Sequence, residues 1–163
     1  MDYGKTLHLP ETEFPMRGNL PKREPEILKF WEDNKIYEKR LELRKDAKPF
    51  ILHDGPPYAN GKLHIGHALN KTLKDIIMKY KTMTGHYTRY IPGWDTHGLP
   101  AENFVEKKLG ITSRHEVGEK ISLAEYITTA RESMVSNAAL WENTIDRIGR
   151  WVEFKNAYKT MDK

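Results

Sequence analysis

The order of short apolar segments and one helical segment between Pro49 and Gly93 constrains the fold more than any other feature of this sequence. Residues 49–53, PFILH, form a short apolar run that ends at the DGPP of 54–57, the pattern of a buried strand followed by a rigid turn. A helix introduced by Gly61 follows and runs to about Lys81, and residues 86–91 predict a second strand. Strand, helix and strand in this order are typical of a βαβ unit, so the sequence predicts a parallel α/β fold.

Helical periodicity also flanks this unit. Four prolines and two glycines within residues 1–25 predict an extended arm without regular helix, after which Pro25 fits the first turn of a core-packing helix. Ser122 and Glu125 form a capping-box pattern ahead of a long helix from about Leu123 to Ile148. We therefore expect an N-terminal part, residues 1–48, and a main part, residues 49–163.

The helix after Gly61 combines two different faces. On a helical wheel, an apolar stripe of four residues lies within about 60°, flanked by Ile65 and Ile77. Its members are Leu69, Leu73, Ile76 and Tyr80. Roughly opposite, within about 80°, lie His64, His67, Lys71 and Lys74.

Composition narrows the class of protein. The chain has 163 residues, 38% of them hydrophobic and 31% charged, with a mean hydropathy of −0.74, which fits one soluble domain and no membrane partner. The absence of cysteine excludes disulfides, thiolate metal sites and a cysteine nucleophile. The sequence carries no secretory signal, so we expect a cytoplasmic location.

The positive charge is concentrated in one segment. The whole chain has a net charge of +4, whereas residues 62–89 contain six bases against one acid, Asp75, a balance of +5. This segment is either a polyanion-binding surface or a solvated helix face.

The start of the helix after Gly61 is the best candidate for a site. In open α/β sheets, ligands bind outside the carboxyl ends of the strands, and free amides at a helix N-terminus attract anions. Imidazole donors from His64 and His67 would suit phosphate, and Gly66 removes a side chain where a ring or ribose could approach. The two histidines could also bind a divalent metal, but without a third ligand pattern we expect no metal site.

The sequence around the histidines resembles the class I aminoacyl-tRNA synthetases. Residues 64–67 read HIGH, a motif of that family, and residues 54–61 and 93–100 resemble its isoleucyl members. Similarity is strong over residues 1–100 and returns at 147–151 and 158–162. The chain is thereby identified as the N-terminal part of such a catalytic domain. The resemblance implies the front half of a Rossmann-like (HUP-type) parallel sheet with flanking helices and an extended N-terminal arm.

The resemblance also implies a reaction. Isoleucine would be activated by ATP to the aminoacyl-adenylate and then transferred to the acceptor end of tRNA, with Mg²⁺ carried by ATP. His64 and His67 match the catalytic residues that donate to the phosphates, and Gly66 matches the position against which adenosine packs. Gly61 and Asn60 would complete the ATP-binding turn.

For the amino acid, the resemblance implies a second group of residues. Asp95 matches the carboxylate that pairs with the α-ammonium group, and Gly55 and Pro56 match part of the wall that receives the side chain. Ala101 departs from the isoleucyl pattern, where a larger aliphatic residue is usual, and is closer to the leucyl one. A leucine-specific relative is therefore kept as an alternative interpretation.

Two parts of the resembled enzymes have no counterpart in this sequence. It contains no KMSKS-like loop for the β- and γ-phosphates, and an editing domain does not fit within 163 residues. We expect the missing half-sheet to leave a strand edge and apolar surface uncovered, with marginal stability, self-association or a truncated origin as the consequence. Activity of the chain is then expected to be incomplete.

Two rival functions follow from the same residues. Without the second phosphate-binding loop, the chain would be a non-catalytic module that holds ATP or the tRNA acceptor end through Lys62, Lys71, Lys74 and Lys79. Alternatively, it would be a small adenylyltransferase with a His-x-Gly-His pattern, which the PPYANG of residues 56–61 disfavours.

Overall fold

Helices dominate the structure, a computed structural model that describes residues 3–8, 11–13, 15, 17–59 and 61–162. The five α-helices are α1 (Leu20–Asp33), α2 (Ile36–Leu43), α3 (Ile65–Met83), α4 (Leu99–Leu109) and α5 (Leu123–Arg147). Short 3-10 helices lie at Tyr3–Thr6, Arg114–Glu116 and Phe154–Asn156. Two short strands, β1 (Gly93–Trp94) and β2 (Tyr158–Lys159), pair in parallel, so the mixed α/β class with a small parallel sheet is confirmed.

The strands differ from the sequence prediction. Residues 49–53 and 86–91 form no regular strand, and their pairing is a parallel bridge between Pro49 and Tyr87. Ile51, expected in a buried strand, is 82% exposed. The regular strand β1 begins at Gly93, beyond the predicted segment, because the partner that supplies its hydrogen bonds is Tyr158 near the end of the chain.

The N-terminal helix also departs from expectation. Helix α1 begins at Leu20, within the region predicted to be extended, with Pro21 in its first turn and Pro25 in its interior. A first-turn proline loses no hydrogen bond, since its N–H would be unpaired there. Ile27 and Phe30 are exposed and not core residues, whereas Trp31 packs edge-on against Trp151 at 5.6 Å.

The two long helices agree with the sequence pattern. Helix α5 begins after Ser122, whose hydroxyl accepts from the backbone N–H of Glu125 at 3.2 Å, and ends one residue before the predicted Ile148. Helix α3 starts four residues after Gly61 and ends before Gly85. Helix α4 was not predicted from the sequence.

The core lies between α5 and the small sheet. Its buried members are Ala59, Trp94, Ala138, Trp141 and Ile145. Trp94 of β1 packs edge-on against Trp141 of α5 at 5.7 Å. This arrangement fixes the loop before α3 against α5, because Ala59 is one of the core residues.

The apolar stripe of α3 faces solvent, whereas the opposite face, with Lys71, Asp75 and Met78, is buried. Ile65 is 85% exposed and Leu69 61% exposed, and Leu73, Ile76 and Tyr80 are exposed as well. A contiguous apolar surface of this kind marks an interaction site or an aggregation liability. It agrees with the uncovered surface expected from the sequence.

We expect the chain to self-associate through this stripe. Sedimentation velocity should show a weight-average mass that rises with protein concentration, and Leu73→Lys should reduce that rise, since a charge cannot be buried unpaired in an apolar contact. Leu43→Lys on α2 is the matched control, because Leu43 is the same residue type outside the stripe and is even more exposed than Leu73, at 77% against 52%. Equal effects of the two variants, or a monomer at all concentrations, would contradict this prediction.

Candidate functional site at the start of helix α3

The two histidines of the HIGH sequence cap helix α3 reciprocally. His64 is the N-cap residue, and its Nδ1 accepts from the backbone N–H of Gly66 at 3.1 Å. The backbone N–H of His64 in turn donates to Nδ1 of His67 at 3.3 Å. The rings stack with centroids 3.7 Å apart. A capping box therefore holds both side chains at the N-terminus of the helix.

These hydrogen bonds fix the tautomer of both rings. A neutral imidazole whose Nδ1 accepts a hydrogen bond carries its proton on Nε2. Both rings thus present an Nε2–H donor, and within the described part of the chain no hydrogen bond occupies either one. Burial lowers the pKa of His67 below its ordinary value, assisted by the neighbouring His64 ring and the positive charge of Lys71. Near neutral pH, His67 is therefore a neutral donor.

Gly66 gives the His64 ring room in this cap. A Cβ at this position would lie 3.1 Å from both Cε1 and Nδ1 of the His64 ring, tighter than ordinary van der Waals contact. The sequence interpretation assigned Gly66 to the approach of a nucleotide ring. The structure adds a local reason, since the glycine lets the His64 ring reach the helix backbone.

Helix α5 holds the loop that precedes the histidines. Trp141 is 1% exposed, and its Nε1–H donates to the carbonyl of Gly61 at 2.6 Å. Asn137, one turn earlier, donates to the carbonyl of Ala59 at 2.9 Å. The Trp141 ring also contacts His67, with centroids 4.6 Å apart. Sequence reasoning missed both roles, although a tryptophan buried in an apolar repeat needs a partner for its N–H.

Asp95, the carboxylate predicted to bind the amino acid, is held at the end of β1 by other segments of the chain. Asp95 follows β1, its N–H donates to the carbonyl of Pro57 at 2.9 Å, and Tyr58 and Asp95 form a parallel bridge. Its carboxylate accepts from the hydroxyl of Thr160, after β2, at 3.1 Å. The hydrogen bond and negative charge of Asp95 raise the pKa of Tyr58. Thr160 is a positioning residue that the sequence did not indicate.

The remaining predicted residues differ in their surroundings. Gly55 is exposed and Pro56 half-buried in the turn that leads to Tyr58. A Cβ at Gly55 would meet nothing within 4 Å, so the described residues around it do not require a glycine at this position. Asn60 lies outside the described residues. Ala101 is buried in α4.

The lysines do not form an open basic surface beside the histidines. Lys74 Nζ lies 2.5 Å from Asp54 Oδ1, and Lys79 Nζ lies 2.5 Å from Asp75 Oδ2. Lys71 is buried, which leaves Lys62 as the exposed member of the four lysines proposed to hold tRNA. Three of the six bases in the positive segment, Lys74, Lys79 and Arg89, are therefore paired with acids within the fold. This disfavours a non-catalytic polyanion-binding module.

The described residues contain no group of three or more histidine or acidic side chains placed to hold a metal ion. None of their helices is long and apolar enough to cross a membrane.

Comparison with known proteins gives one decisive match. Residues 26–163 match the family model for tRNA synthetases class I (I, L, M and V). This chain belongs to that family. The synthetase chain is 53% identical over 162 residues to the isoleucine–tRNA ligase of Caldicellulosiruptor bescii and 55% identical over 161 residues to that of Shewanella pealeana. Each alignment covers 99% of this chain and 17% of the relative.

A solved structure supports the fold of this family member. A LeuRS from Agrobacterium radiobacter, in a ternary complex with tRNA and LeuAMS, matches with a TM-score of 0.59 and 24% sequence identity. The match covers 90% of this chain and 16% of the other. The chain thus spans about a sixth of the length of the relatives that it matches, and the fold corresponds to a fragment of a class I synthetase catalytic domain.

We expect Trp141→Phe to loosen the site without removing the core aromatic ring. Phenylalanine keeps an apolar ring in the core but leaves the carbonyl of Gly61 without its donor, at a cost of about 1–3 kcal/mol in unfolding free energy. Proton–nitrogen NMR of the His67 ring should then show the Nδ1–H tautomer increasing at the expense of the Nε2–H tautomer.

The matched control is Trp31→Phe, because Trp31 contacts Trp151 and lies at the C-terminal end of α5, beside Arg147 and away from the turn that carries Trp141. Its tautomer ratio at His67 should equal that of the unaltered chain. An unchanged ratio in Trp141→Phe as well would contradict the role assigned to Trp141.

Proposed function

We propose that this chain carries the amino-acid activation site of an isoleucine–tRNA ligase and binds ATP at the start of α3. The observation that carries the proposal is the reciprocal capping of His64 and His67, which uses both Nδ1 atoms and leaves two Nε2–H donors on stacked rings at the helix N-terminus. Membership of the synthetase family and the identity with isoleucine–tRNA ligases support the choice of reaction.

In this proposal, the α-carboxylate of isoleucine attacks the α-phosphorus of ATP and pyrophosphate leaves. Negative charge is redistributed over the phosphate oxygens as the bond to pyrophosphate breaks. Neutral donors that are already fixed in place stabilise that charge without reorganising, which is the main source of electrostatic catalysis. His64 and His67 supply these donors, and Gly66, Gly61 and Asn60 line the adenosine side. Mg²⁺ enters with ATP.

The amino acid would lie between the turn at residues 55–58 and the end of β1. The carboxylate of Asp95 would pair with the α-ammonium group, held in place by the hydroxyl of Thr160. Gly55 and Pro56 would form part of the side-chain wall. Transfer to the acceptor end of tRNA would follow in the cytoplasm.

We also propose the finer description of the fold. Residues 49–163 would be the front half of a HUP-type Rossmann sheet, and residues 1–48 an arm and helix packed against it. Tyr37 supports this packing, since its hydroxyl donates to Glu153 at 3.1 Å.

Isothermal titration of the chain with isoleucyl-sulfamoyl-adenosine tests the proposal. This stable adenylate analogue carries both halves of the ligand, so it probes the site without requiring turnover. We expect saturable binding that is weaker for the valyl analogue by about 10–200-fold, the established limit for one methylene group in this enzyme family. The leucyl analogue decides whether the buried Ala101 marks a leucine-specific relative.

Controls distinguish a loss of the binding site from a loss of the folded structure. His97→Ala, at an exposed histidine outside the capping box, should bind the analogue like the unaltered chain. A chain that unfolds cooperatively and binds none of the three analogues would overturn the proposal, and preference for the leucyl analogue would reassign the substrate.

A further inference from the structure

We propose that a small cavity behind the DGPP turn binds a monovalent anion, chloride or a small carboxylate, between Lys71 and Arg150. The cavity is separate from the histidine pair and the inference does not rest on the proposed function. Its lining includes the side chains of Lys71, Arg150, Asp54 and Tyr90 together with Gly55 and Gly93.

Two cations are buried at this cavity. Lys71 is 7% exposed and Arg150 is 7% exposed. Lysine and arginine are almost never buried to this extent unless a partner compensates the charge, because removing an ion from water is costly. The guanidinium of Arg150 lies over the ring of Tyr90, 4.6 Å from its centroid, a contact that attracts the cation but supplies no negative counter-charge.

The nearby carboxylates are already occupied. Asp54 Oδ1 pairs with Lys74 at 2.5 Å, and Asp54 Oδ2 accepts from the hydroxyl of Tyr90 at 2.9 Å. Asp75, one turn after Lys71, pairs with Lys79 and accepts from the backbone N–H of Trp151 at 2.9 Å. Among the described residues, neither Asp54 nor Asp75 forms an ion pair with Lys71. Two positive charges therefore face the cavity in excess.

The excess charge has an electrostatic consequence. Burial, followed by the positive charge of Arg150, lowers the pKa of Lys71 to about 8. The Asp54 carboxylate opposes this effect and does not cancel it. An anion between the two cations would restore the missing compensation and raise the pKa of Lys71.

The cavity has room for a small anion. The space open to the centre of a water molecule is about 40 Å³. One bound water needs about 10–15 Å³ on this measure, so a chloride or formate ion fits. A small monovalent anion is therefore the ligand of this proposal.

Chloride-35 NMR tests the site directly. Titration of the chain with chloride, at constant ionic strength maintained with gluconate, should give an excess line width that saturates. Formate should displace the chloride and remove this excess, since it is small enough to enter. The bulkier gluconate should not.

Variants assign the site to the two cations. Lys71→Met keeps the length of the side chain and removes its charge, so the affinity for chloride should fall at least tenfold. Lys62→Met is the matched control, because Lys62 is exposed on the same segment, and it should bind chloride like the unaltered chain. Circular dichroism verifies that each variant is folded, and Arg150→Met provides a second route if Lys71→Met is not. A broadening that does not saturate, or that persists in a folded Lys71→Met or Arg150→Met chain, would overturn the inference.

Discussion

Replacing His67 with alanine is expected to lower isoleucine-dependent exchange between ATP and pyrophosphate by about 10²–10³-fold, the usual effect of losing one fixed donor to a developing negative charge. The variant also removes the Nδ1 acceptor of the His64 N–H and the ring against which His64 stacks. Both donors are therefore affected by one substitution. The loss should appear in kcat and not in the KM for isoleucine, since the histidines lie at the phosphate end of the site.

His67→Gln is the informative companion variant. Its amide oxygen can accept from the N–H of His64 and its amide nitrogen can donate, so it should recover part of the lost rate. His64 loses its stacking partner in both variants, so their difference measures what the amide restores, namely the acceptor for the His64 N–H together with the donor. If a His67 variant raised the KM for isoleucine and left kcat unchanged, His67 would act on the amino acid and not on the phosphates, which would contradict this prediction.

Asp95→Asn should weaken the binding of isoleucine and not that of ATP. Asparagine has nearly the same shape and can still accept from Thr160, so the local fold is preserved, but the charge that would pair with the α-ammonium group is lost. Truncating one partner of a hydrogen-bonded charge pair costs about 2–5 kcal/mol in binding. We expect the KM for isoleucine to rise about 10²-fold, while the affinity for ATP changes little.

The control for this variant is Asp46→Asn, because Asp46 is exposed between α2 and the first predicted strand. Thr160→Val provides an internal comparison. It removes the hydroxyl that holds Asp95 and should raise the KM by a smaller factor. Equal effects of Asp46→Asn and Asp95→Asn would exclude a specific role for Asp95.

The helices were predictable from the sequence because their signals are local. The capping box at Ser122 and the periodicity after it specify α5 within one residue of each end. The strands could not be predicted in this way, because their pairing joins segments that are distant in the sequence. Gly93 shows why, since a Cβ there would lie 2.2 Å from the ring of Tyr158, a neighbour in space that is far away in sequence.

In the candidate site, too, the residues with local signals were predictable and those with long-range contacts were not. The HIGH sequence and the turn before it placed the two histidines and Gly66 at a helix N-terminus, and the structure confirms that position. The roles of Trp141 and Thr160 could not be read, because each depends on a hydrogen bond across the fold. The wheel placed Lys71 and Lys74 beside the histidines but could not show that one is buried and the other ion-paired.

The exposure of the apolar stripe of α3 could not be predicted either. Its periodicity indicates that an apolar contact is required, but a helical wheel cannot say which surface provides the contact. In this chain the buried face is instead the one with Lys71 and Asp75, and α3 is anchored there by hydrogen bonds such as that from Lys79 to the carbonyl of Gly149 at 2.8 Å.

Amino-acid-dependent exchange between ATP and pyrophosphate on this chain tests the central claim most directly. Isoleucine, leucine and valine are compared in parallel, with a His64→Ala, His67→Ala double variant as the control. The account predicts exchange that isoleucine drives best and that the double variant loses. Exchange that is absent from the folded chain, or equal in the double variant, would contradict an activation site at the start of α3.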